Sequence, residues 1–410
     1  MVSLEENQLL AGVSRGTPMG DMMRRYWLPA IHSAELPERD GTPIRVRLLG
    51  EDLVAFRDTE GRVGLLEEAC SHRCASLAYG RNEESGLRCI YHGWKYDVHG
   101  NILETPPEPP ESDVKRRTKQ VAYPTRERGD VIWAYMGPKH LEPAFPEWEW
   151  LDLPSDQRHV TKIFEDCNYA QGVEGSIDSA HSDYLHSSDI VGRPKDHAPT
   201  LHPEDTPYGF RYAAVRRPDA DADRLKYVRI TVFVAPFYVI IPPFRRPREE
   251  VILHQAWVPI DDDSNQFFTF AYNRLGTLPQ RYLEHQAQFG LDRPWGRPIR
   301  NTANLHLQDR DAMKRGNWSG IAGVNSQDFA VVESMGRLAP RHREHLGASD
   351  IAVVSMRRRL LGALRAFEAG KEPLGLDPSI RYDQIVSEEK FVPVDMPWQS
   401  VAPALATALP

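Results

Sequence analysis

The chain has 410 residues, enough for two or three domains with a large core. Its 50 Lys and Arg against 58 Asp and Glu give a formal charge of −8, which leaves no basic footprint for nucleic acid or an anionic membrane. Four cysteines (Cys70, Cys74, Cys89 and Cys167) are too few for a disulfide scaffold. The acidic start, and the lack of an apolar run near the ~18 residues of a membrane span, predict a cytoplasmic protein.

Residues 3 to 24 read as a short helix, a break at Gly16-Thr17-Pro18 and a turn over Asp21 to Arg25. From Ile44 the pattern has period two, with Ile44, Val46 and Leu48 alternating with Arg45, Arg47 and Leu49 before a second run from Leu53 to Arg57. This predicts a small β domain that continues to Val131-Ile132-Trp133-Ala134-Tyr135 and closes at Gly137-Pro138. The stretch Pro143-Ala144-Phe145-Pro146 marks a linker, giving domains over residues 1–140 and 141–410.

Inside the β domain lie Cys70-Ser71-His72-Arg73-Cys74 and Cys89-Ile90-Tyr91-His92-Gly93-Trp94. They offer two thiolates and two imidazoles as mixed pairs, Cys-x-His and Cys-x2-His, with sixteen residues between His72 and Cys89. A Rieske [2Fe-2S] centre needs that set, two Cys on one iron and two His on the other. Zinc also takes Cys2His2 sets, but its usual spacing keeps Cys with Cys and His with His. The mixed pairs favour the cluster, while the residue types leave zinc open. Gly80, Gly86 and Gly93 suit the turns. Cys74 is expected as a buried free thiol.

The second constellation runs from Asn168 through Asp178 and His181 to His186. Asp178 and His181 share a face of a helix expected to begin near Asn168, whereas His181 and His186 stand about 140° apart round it. Both histidines reach one metal only if the helix ends or bulges between them. Two histidines on a helix are more often packed or solvated than ligating. Asp178 can accept a hydrogen bond from the distal N–H of His181, and a further carboxylate would complete a 2-His-1-carboxylate facial triad. The segment Asn325 to Ser334 offers Asp328 or Glu333, and chemistry permits either.

With their flanks, Ala75-Ser76-Leu77 and Gly93-Trp94-Lys95-Tyr96-Asp97, the two loops resemble those of the Rieske non-haem iron ring-hydroxylating oxygenases, most closely the phthalate dioxygenase-like group. The likeness extends from about Thr17 to about Leu346, because both ligand sets occur in the expected order. Ser71 stands where Pro is usual and Cys74 where Gly is more common. The resemblance implies that Cys70 and Cys89 bind one cluster iron and His72 and His92 the other, and that Asp328 joins His181 and His186 on a mononuclear Fe(II). It implies an α+β fold, an N-terminal all-β Rieske [2Fe-2S] domain followed by a helix-grip (START-like) catalytic domain. The long antiparallel sheet of that domain would use Tyr208 to Arg216, Tyr227 to Ile241, Val251 to Pro259 and Gln266 to Tyr272. After it, Ile351 to Phe367 is amphipathic, with Ile351, Val354, Leu361, Leu364 and Phe367 as the packed stripe.

The function so implied is that of a terminal oxygenase component. It would use O2 and NAD(P)H electrons, delivered by a separate reductase directly or through a ferredoxin, to oxidise an aromatic, carboxylated substrate by dihydroxylation or monooxygenation. O-demethylation of methoxy-aromatic acids is the second reading. A non-catalytic Rieske electron-transfer or binding protein is the alternative of another class, against which the second domain and its ligand set argue. No dinucleotide-binding glycine fingerprint occurs, so the nicotinamide belongs to the reductase. The family also implies a homotrimer, or stacked trimers forming a hexamer, in which Asp178 bridges His181 to His92 of the partner subunit. A buried carboxylate needs a cationic partner, for which Arg211, Arg229, Arg245 and Arg246 are candidates. Phe233, Phe237, Tyr238 and Trp257 are candidates for a ring pocket, with ordinary packing the default for all of these.

Overall fold

The computed structural model describes residues 2–190, 196–246, 249–287 and 289–402, with backbone alone for 243–246, 249 and 287. The chain forms two compact units, Val13–Phe145 and a second made of Met1–Gly12 with Pro146–Pro410. The division expected at residue 140 thus lies slightly later, and the first helix belongs with the second unit.

In the first unit a helix over Pro18–Met23 replaces the expected turn; the Thr17 hydroxyl accepts from the Gly20 N–H and Pro18 occupies the first turn. Three antiparallel sheets follow. One joins Ile44–Leu48, Glu51–Arg57 and Val63–Glu67; another joins Trp27–His32, Val131–Tyr135 and Thr125–Arg128; the third runs through Arg81–Glu83, Gly86–Arg88, Lys95–Tyr96 and Ile102–Glu104. The period-two reading holds through the strand, with Val46 and Leu48 buried and Arg45 and Arg47 exposed. It fails at Leu49, which has left the strand for a left-handed turn (φ 49°) and is buried. Phe56, Leu66, Leu77, Leu87, Trp94 and Tyr96 pack with Cys70 and Cys89 in one core.

The second unit is built on an eight-stranded antiparallel sheet. Its strands are β1 (Arg158–Glu165), β2 (Thr200–Thr206), β3 (Gly209–Arg216), β4 (Leu225–Val234), β5 (Tyr238–Arg246), β6 (Glu249–Pro259), β7 (Asn265–Tyr272) and β8 (Glu388–Pro393). The order is β1-β7-β6-β5-β4-β3-β2, with β8 pairing along β4. The run expected as one strand from Tyr227 to Ile241 is a hairpin that turns at Ala235-Pro236-Phe237. Both faces of this sheet are covered, so its strands are apolar throughout and the period does not mark the turn. β1, β2 and β8 went unread because edge strands carry charged residues and, in β2, Pro203.

Register places Tyr212, Arg229, Thr161, Thr269, Gln255, Trp257 and Phe267 on one face of the sheet. Helix α2 (Tyr169–Ile177) lies on that face, while α1 (Leu4–Ala11), α3 (Val324–Ser334) and α4 (Ile351–Glu368) flank it. The opposite face is closed by Trp150, stacked on Phe270 at 4.4 Å, and by Trp148, 5.3 Å from both Tyr238 and His254. The packed stripe of α4 holds towards its C-terminal end, where Leu361 and Leu364 are buried, and differs at its start, where Ala352, Val353, Met356 and Leu360 are buried and Ile351 and Val354 are exposed. Arg357 is also buried on the inner face.

Helix α2 is fixed by its own sequence. Asn168 caps it through the Ala170 N–H and donates to Ala11 O and Asp262 O, and the Tyr169 hydroxyl donates to Leu10 O. Gln171 donates to Val332 O and Gly336 O and accepts from the Ala339 N–H. Gly172 has no room for a side chain, since a Cβ there would stand 1.9 Å from the Trp257 ring. Glu174 receives Arg341 Nε at 2.8 Å and Arg357 Nε at 2.7 Å. Burial alone would raise the Glu174 carboxyl, but the two guanidinium groups override it and hold the pKa below the usual carboxylate range.

Glu174→Gln should lower stability to chemical denaturation by about 3 kcal/mol, because it leaves the buried Arg341 guanidinium without a carboxylate, whereas Arg357 keeps Glu344. The folded pKa is depressed, so this contribution is present above the unfolded value of about 4.3 and is lost as pH falls through the folded value. The gap between wild type and variant should therefore close on acidification; a gap that persists in acid would mean the carboxylate contributes shape rather than charge.

Candidate metal centres

The two cysteine-histidine loops have the same backbone. Cys70 N–H donates to Ala75 O and Cys74 N–H to Cys70 O; Cys89 N–H donates to Trp94 O and Gly93 N–H to Cys89 O. Each loop closes on a left-handed residue, Cys74 at φ 56° and Gly93 at φ 75°. Cys74 therefore occupies a position that favours glycine. It is exposed rather than buried as expected, because closing the turn leaves its side chain outside the core.

The sulfurs face inward and the imidazoles outward. Cys70 and Cys89 are 1% and 2% exposed, whereas His72 and His92 are half-buried with ring centroids 4.5 Å apart, and Trp94 stacks on His72 at 4.4 Å. Burial pushes the Cys89 thiol above its usual range, and Cys70 beside it adds to the shift. The Tyr96 hydroxyl lies 2.9 Å from Cys70 Sγ and 3.1 Å from Ser71 Oγ. Ser71 also donates its backbone N–H to Gln120 Oε1 at 2.7 Å, while Gln120 Nε2 donates to Glu67 O and Ala69 O. A proline in place of Ser71 would lack that N–H.

In the second unit α2 stops at Ile177, so the expected shared helical face of Asp178 and His181 does not form. Asp178 is the C-cap, its Oδ1 accepting from the Ala180 N–H at 2.8 Å, and His181 opens a 3-10 turn. The break precedes both histidines and lets their rings converge. His181 Nε2 is 3.1 Å from His186 Nε2 and 3.5 Å from Asp328 Oδ1, and His186 Nε2 is 3.0 Å from the same oxygen. Bonds of about 2.1 Å meeting at right angles place ligand atoms about 3 Å apart, so this triangle matches one octahedral face. Protonated imidazole would make this triangle a set of hydrogen bonds, whereas neutral imidazole offers three ligand atoms to one side of a metal ion.

Supporting contacts fix each of these side chains. Gln327 Nε2 donates to Asp189 Oδ2 at 2.7 Å and to Ile321 O at 2.8 Å, which turns its oxygen to His186 Nδ1 at 2.6 Å. His186 must then carry its proton on Nδ1, leaving Nε2 free to ligate. Asp178 Oδ2 lies 3.5 Å from His181 Nδ1. Burial lowers the His181 imidazolium pKa, but Asp178 and Asp328 outweigh it and raise the value to about 9. Burial works to raise Asp328 and the two imidazoles hold it below its ordinary value. Arg216, 2.6 Å from Asp183, secures the turn. Glu333 points elsewhere, accepting from the Asp166 N–H and the Thr302 hydroxyl with His306 Nε2 at 3.3 Å.

Beside Asp328 lies a cavity of about 10 Å³, space for a single water and not for an aromatic ring, walled by Ser176, Gln255, Trp257, Phe267, Phe329 and Val332. Of the aromatic candidates only Trp257 lines it. Phe233 packs on Phe210, and Phe237 on Tyr238, which faces the opposite side of the sheet. Arg211 also faces that side, bound to Glu204 and Ala402 O and lying over Trp398. Arg229 faces α2 but approaches Glu389 at 3.8 Å. The side chains of Arg245 and Arg246, at the end of β5, lie outside the described residues. Gln327, Tyr96, Gln120 and Gln255 were not singled out from sequence. Gln327 stands next to Asp328, and Tyr96 follows the second loop, but neither position by itself discloses a contact.

Comparison with known proteins gives the family of each unit. The Rieske [2Fe-2S] domain profile matches residues 26–123 and the LigXa C-terminal domain like profile residues 134–407. The chain is 46% identical to the phthalate 4,5-dioxygenase oxygenase subunit of Pseudomonas putida, over 97% of this chain and 94% of that one. It is 37% identical to the 3-chlorobenzoate-3,4-dioxygenase oxygenase subunit of Comamonas testosteroni, over 98% of each. Among solved structures, the Pseudomonas putida CBB5 NdmA QL mutant with theobromine superposes with a TM-score of 0.63 at 20% identity, over 85% of this chain and 92% of that one. The chain belongs to the Rieske non-haem iron oxygenases, as an oxygenase subunit.

Such oxygenases hold a [2Fe-2S] cluster and a mononuclear iron and use O2 with NAD(P)H electrons passed by a separate reductase or ferredoxin. The residues present fit both groups. Among the described residues only His181, His186 and Asp328 bring three ligand atoms within 4.8 Å of one another. Cys70, His72, Cys89 and His92 are therefore spread more widely than the ligands of one tetrahedral ion, as a two-iron centre requires. No helix among the described residues is long and apolar enough to cross a membrane.

Tyr96→Phe should lower the reduction potential of the cluster by about 40 mV, since a hydrogen bond to sulfur favours the more negative, reduced state by roughly 1 kcal/mol. An unchanged midpoint in a redox titration would show that the hydroxyl serves Ser71 instead.

Proposed function

We propose that this protein is the terminal component that oxidises an aromatic, carboxylated substrate with O2 and reductase-supplied electrons. The observation that carries this reading is the convergence of His181, His186 and Asp328 in a chain that also bears the paired Cys70-His72 and Cys89-His92 loops. An aromatic acid as substrate is supported by the phthalate and 3-chlorobenzoate enzymes among the relatives.

In this reading Cys70, Cys89, His72 and His92 hold the cluster, and His181, His186 and Asp328 hold the mononuclear iron. Iron in the triad supplies the oxidising chemistry. The chain does the rest. Gln327 and Asp178 hold the two imidazoles in register. The assembly is a homotrimer or stacked hexamer, in which Asp178 joins His181 to His92 of the partner subunit.

The direct test supplies the holoenzyme, a reductase and NADH with phthalate, benzoates and methoxybenzoates, and follows oxygen uptake and products. A diol or hydroxylated acid is expected. Formaldehyde from a methoxybenzoate would indicate O-demethylation, and no oxidation of any aromatic acid would overturn the reading.

Asp328→Ala should reduce mononuclear iron from about one per chain to near zero while leaving the cluster absorption intact, whereas Glu333→Ala should retain both. Loss of that iron from the Glu333 variant alone would reverse the assignment. Asp178→Asn should keep both metal centres yet slow substrate oxidation about 100-fold, because the amide cannot serve two imidazoles as an anion does. Full turnover in the Asn variant would remove the bridge.

A further inference from the structure

Among the buried residues of the core beneath the two cluster loops, side-chain nitrogen or oxygen comes from Trp94 and Tyr96 alone. The Tyr96 hydroxyl is accounted for, 2.9 Å from Cys70 Sγ and 3.1 Å from Ser71 Oγ. Trp94 Nε1 is not. It is shut off from solvent, and none of the described residues accepts a hydrogen bond from it. An indole N–H can only donate, and buried donors are ordinarily paired, so this one points to an acceptor that the polypeptide does not supply.

The position of the ring narrows what that acceptor can be. Trp94 lies face to face on His72, with ring centroids 4.4 Å apart and planes at 6°, and His72 in turn meets His92 edge-on at 4.5 Å. Gly93, in the left-handed region at φ 75°, separates His92, whose imidazole points outward, from Trp94, whose indole packs in the same core as Cys70 and Cys89. The indole therefore touches one of the side chains read as iron ligands. A buried water is a poor acceptor here, because it needs several polar partners and the surrounding Phe56, Leu66, Leu77 and Leu87 offer none. The sulfurs of a [2Fe-2S] cluster are electron-rich and accept hydrogen bonds.

On the ligand assignment given above, we propose that the Trp94 indole N–H donates to a sulfur of the [2Fe-2S] cluster and raises its reduction potential, while the stacked ring pins the His72 imidazole. The electron added on reduction makes the acceptor more negative, which strengthens the bond; the proton stays on the indole nitrogen throughout. Trp94 is thus a positioning residue for electron transfer. Tyr96 and Trp94 divide the task within one core, the hydroxyl serving the Cys70 sulfur and the indole the cluster beside His72.

The test uses the intact protein, produced with tryptophan labelled with nitrogen-15 at the indole position, reduced with dithionite and examined by pulsed electron paramagnetic resonance. Histidine and backbone keep ordinary nitrogen, so a nitrogen-15 coupling to the cluster spin reports an indole at the cluster. The coupling should appear in the labelled wild type and vanish in Trp94→Phe, which keeps an aromatic ring but has no N–H. The same variant should be about tenfold harder to reduce, a fall of about 59 mV in the midpoint of a one-electron couple. Cluster content and melting temperature confirm that it is folded. A labelled wild type without the coupling would overturn the proposal whether or not the variant folds, and so would an unchanged midpoint in folded Trp94→Phe. The assignment on which it rests fails in a different way: reduced protein with no Rieske signal at all would remove both, whereas the signal without the coupling removes the role of Trp94 alone.

Discussion

The contact on which the second unit most depends is the buried meeting of Glu174 with Arg341 and Arg357. A single carboxylate at the middle of α2 is held by two segments that follow β7 in sequence, and Arg341 in turn reaches Asn7 of α1. The charges are out of water, so they are tolerable only while all of them are in place. That makes the position of α2 an all-or-none property of the unit. The end of the helix decides where Asp178, His181 and His186 fall, and a shift of an ångström there would open the triangle of ligand atoms beyond what one ion can span. Gly172 against the Trp257 ring sets how closely the helix approaches the sheet, and Gln171 ties it to the C-terminal end of α3, the helix that supplies Asp328.

Much of this was legible in the residues. The ligand sets announced themselves because metal chemistry restricts residue type and spacing together. The long sheet showed as apolar runs. What did not show are features whose cause is non-local. The hairpin at Ala235-Pro236-Phe237 is hidden because strands covered on both sides lose their alternation. The start of the stripe on α4 was misread, since Ile351 and Val354 are exposed, and the edge strands were masked by their polar residues. Asp328 and Glu333 are chemically equivalent in the sequence. They differ only in the direction each faces from α3, which the fold determines. Gln327 and Gln255 carry no signal of their own, since an amide acquires meaning only from what it faces.

The first unit shows a different economy. Its two loops repeat one hydrogen-bonding pattern, so sulfur from each points into the core and imidazole from each points out. The apolar side is where a thiolate pair is screened from solvent, and the outward side is where an electron can leave through a ring. Ser71 and Cys74 depart from the usual residues without disturbing this arrangement. Ser71 adds a donated N–H to Gln120, and Cys74 accepts a left-handed backbone that glycine adopts more easily.

The path of the chain carries a consequence for how such proteins recombine. The polypeptide leaves the second unit at Gly12 and returns at Pro146, so the first unit is an insertion rather than a leading domain. Asn168, Tyr169 and Arg341 all find partners on α1, which precedes the insertion. A single crossover after residue 145 between diverged relatives would pair one parent's α1 with the other parent's α2. Exchange of the cluster-bearing unit alone needs two junctions, on either side of residues 13–145. Inheritance as an intact pair is therefore the path of least disruption, and the redox unit and its iron-binding host are expected to diverge at matched rates.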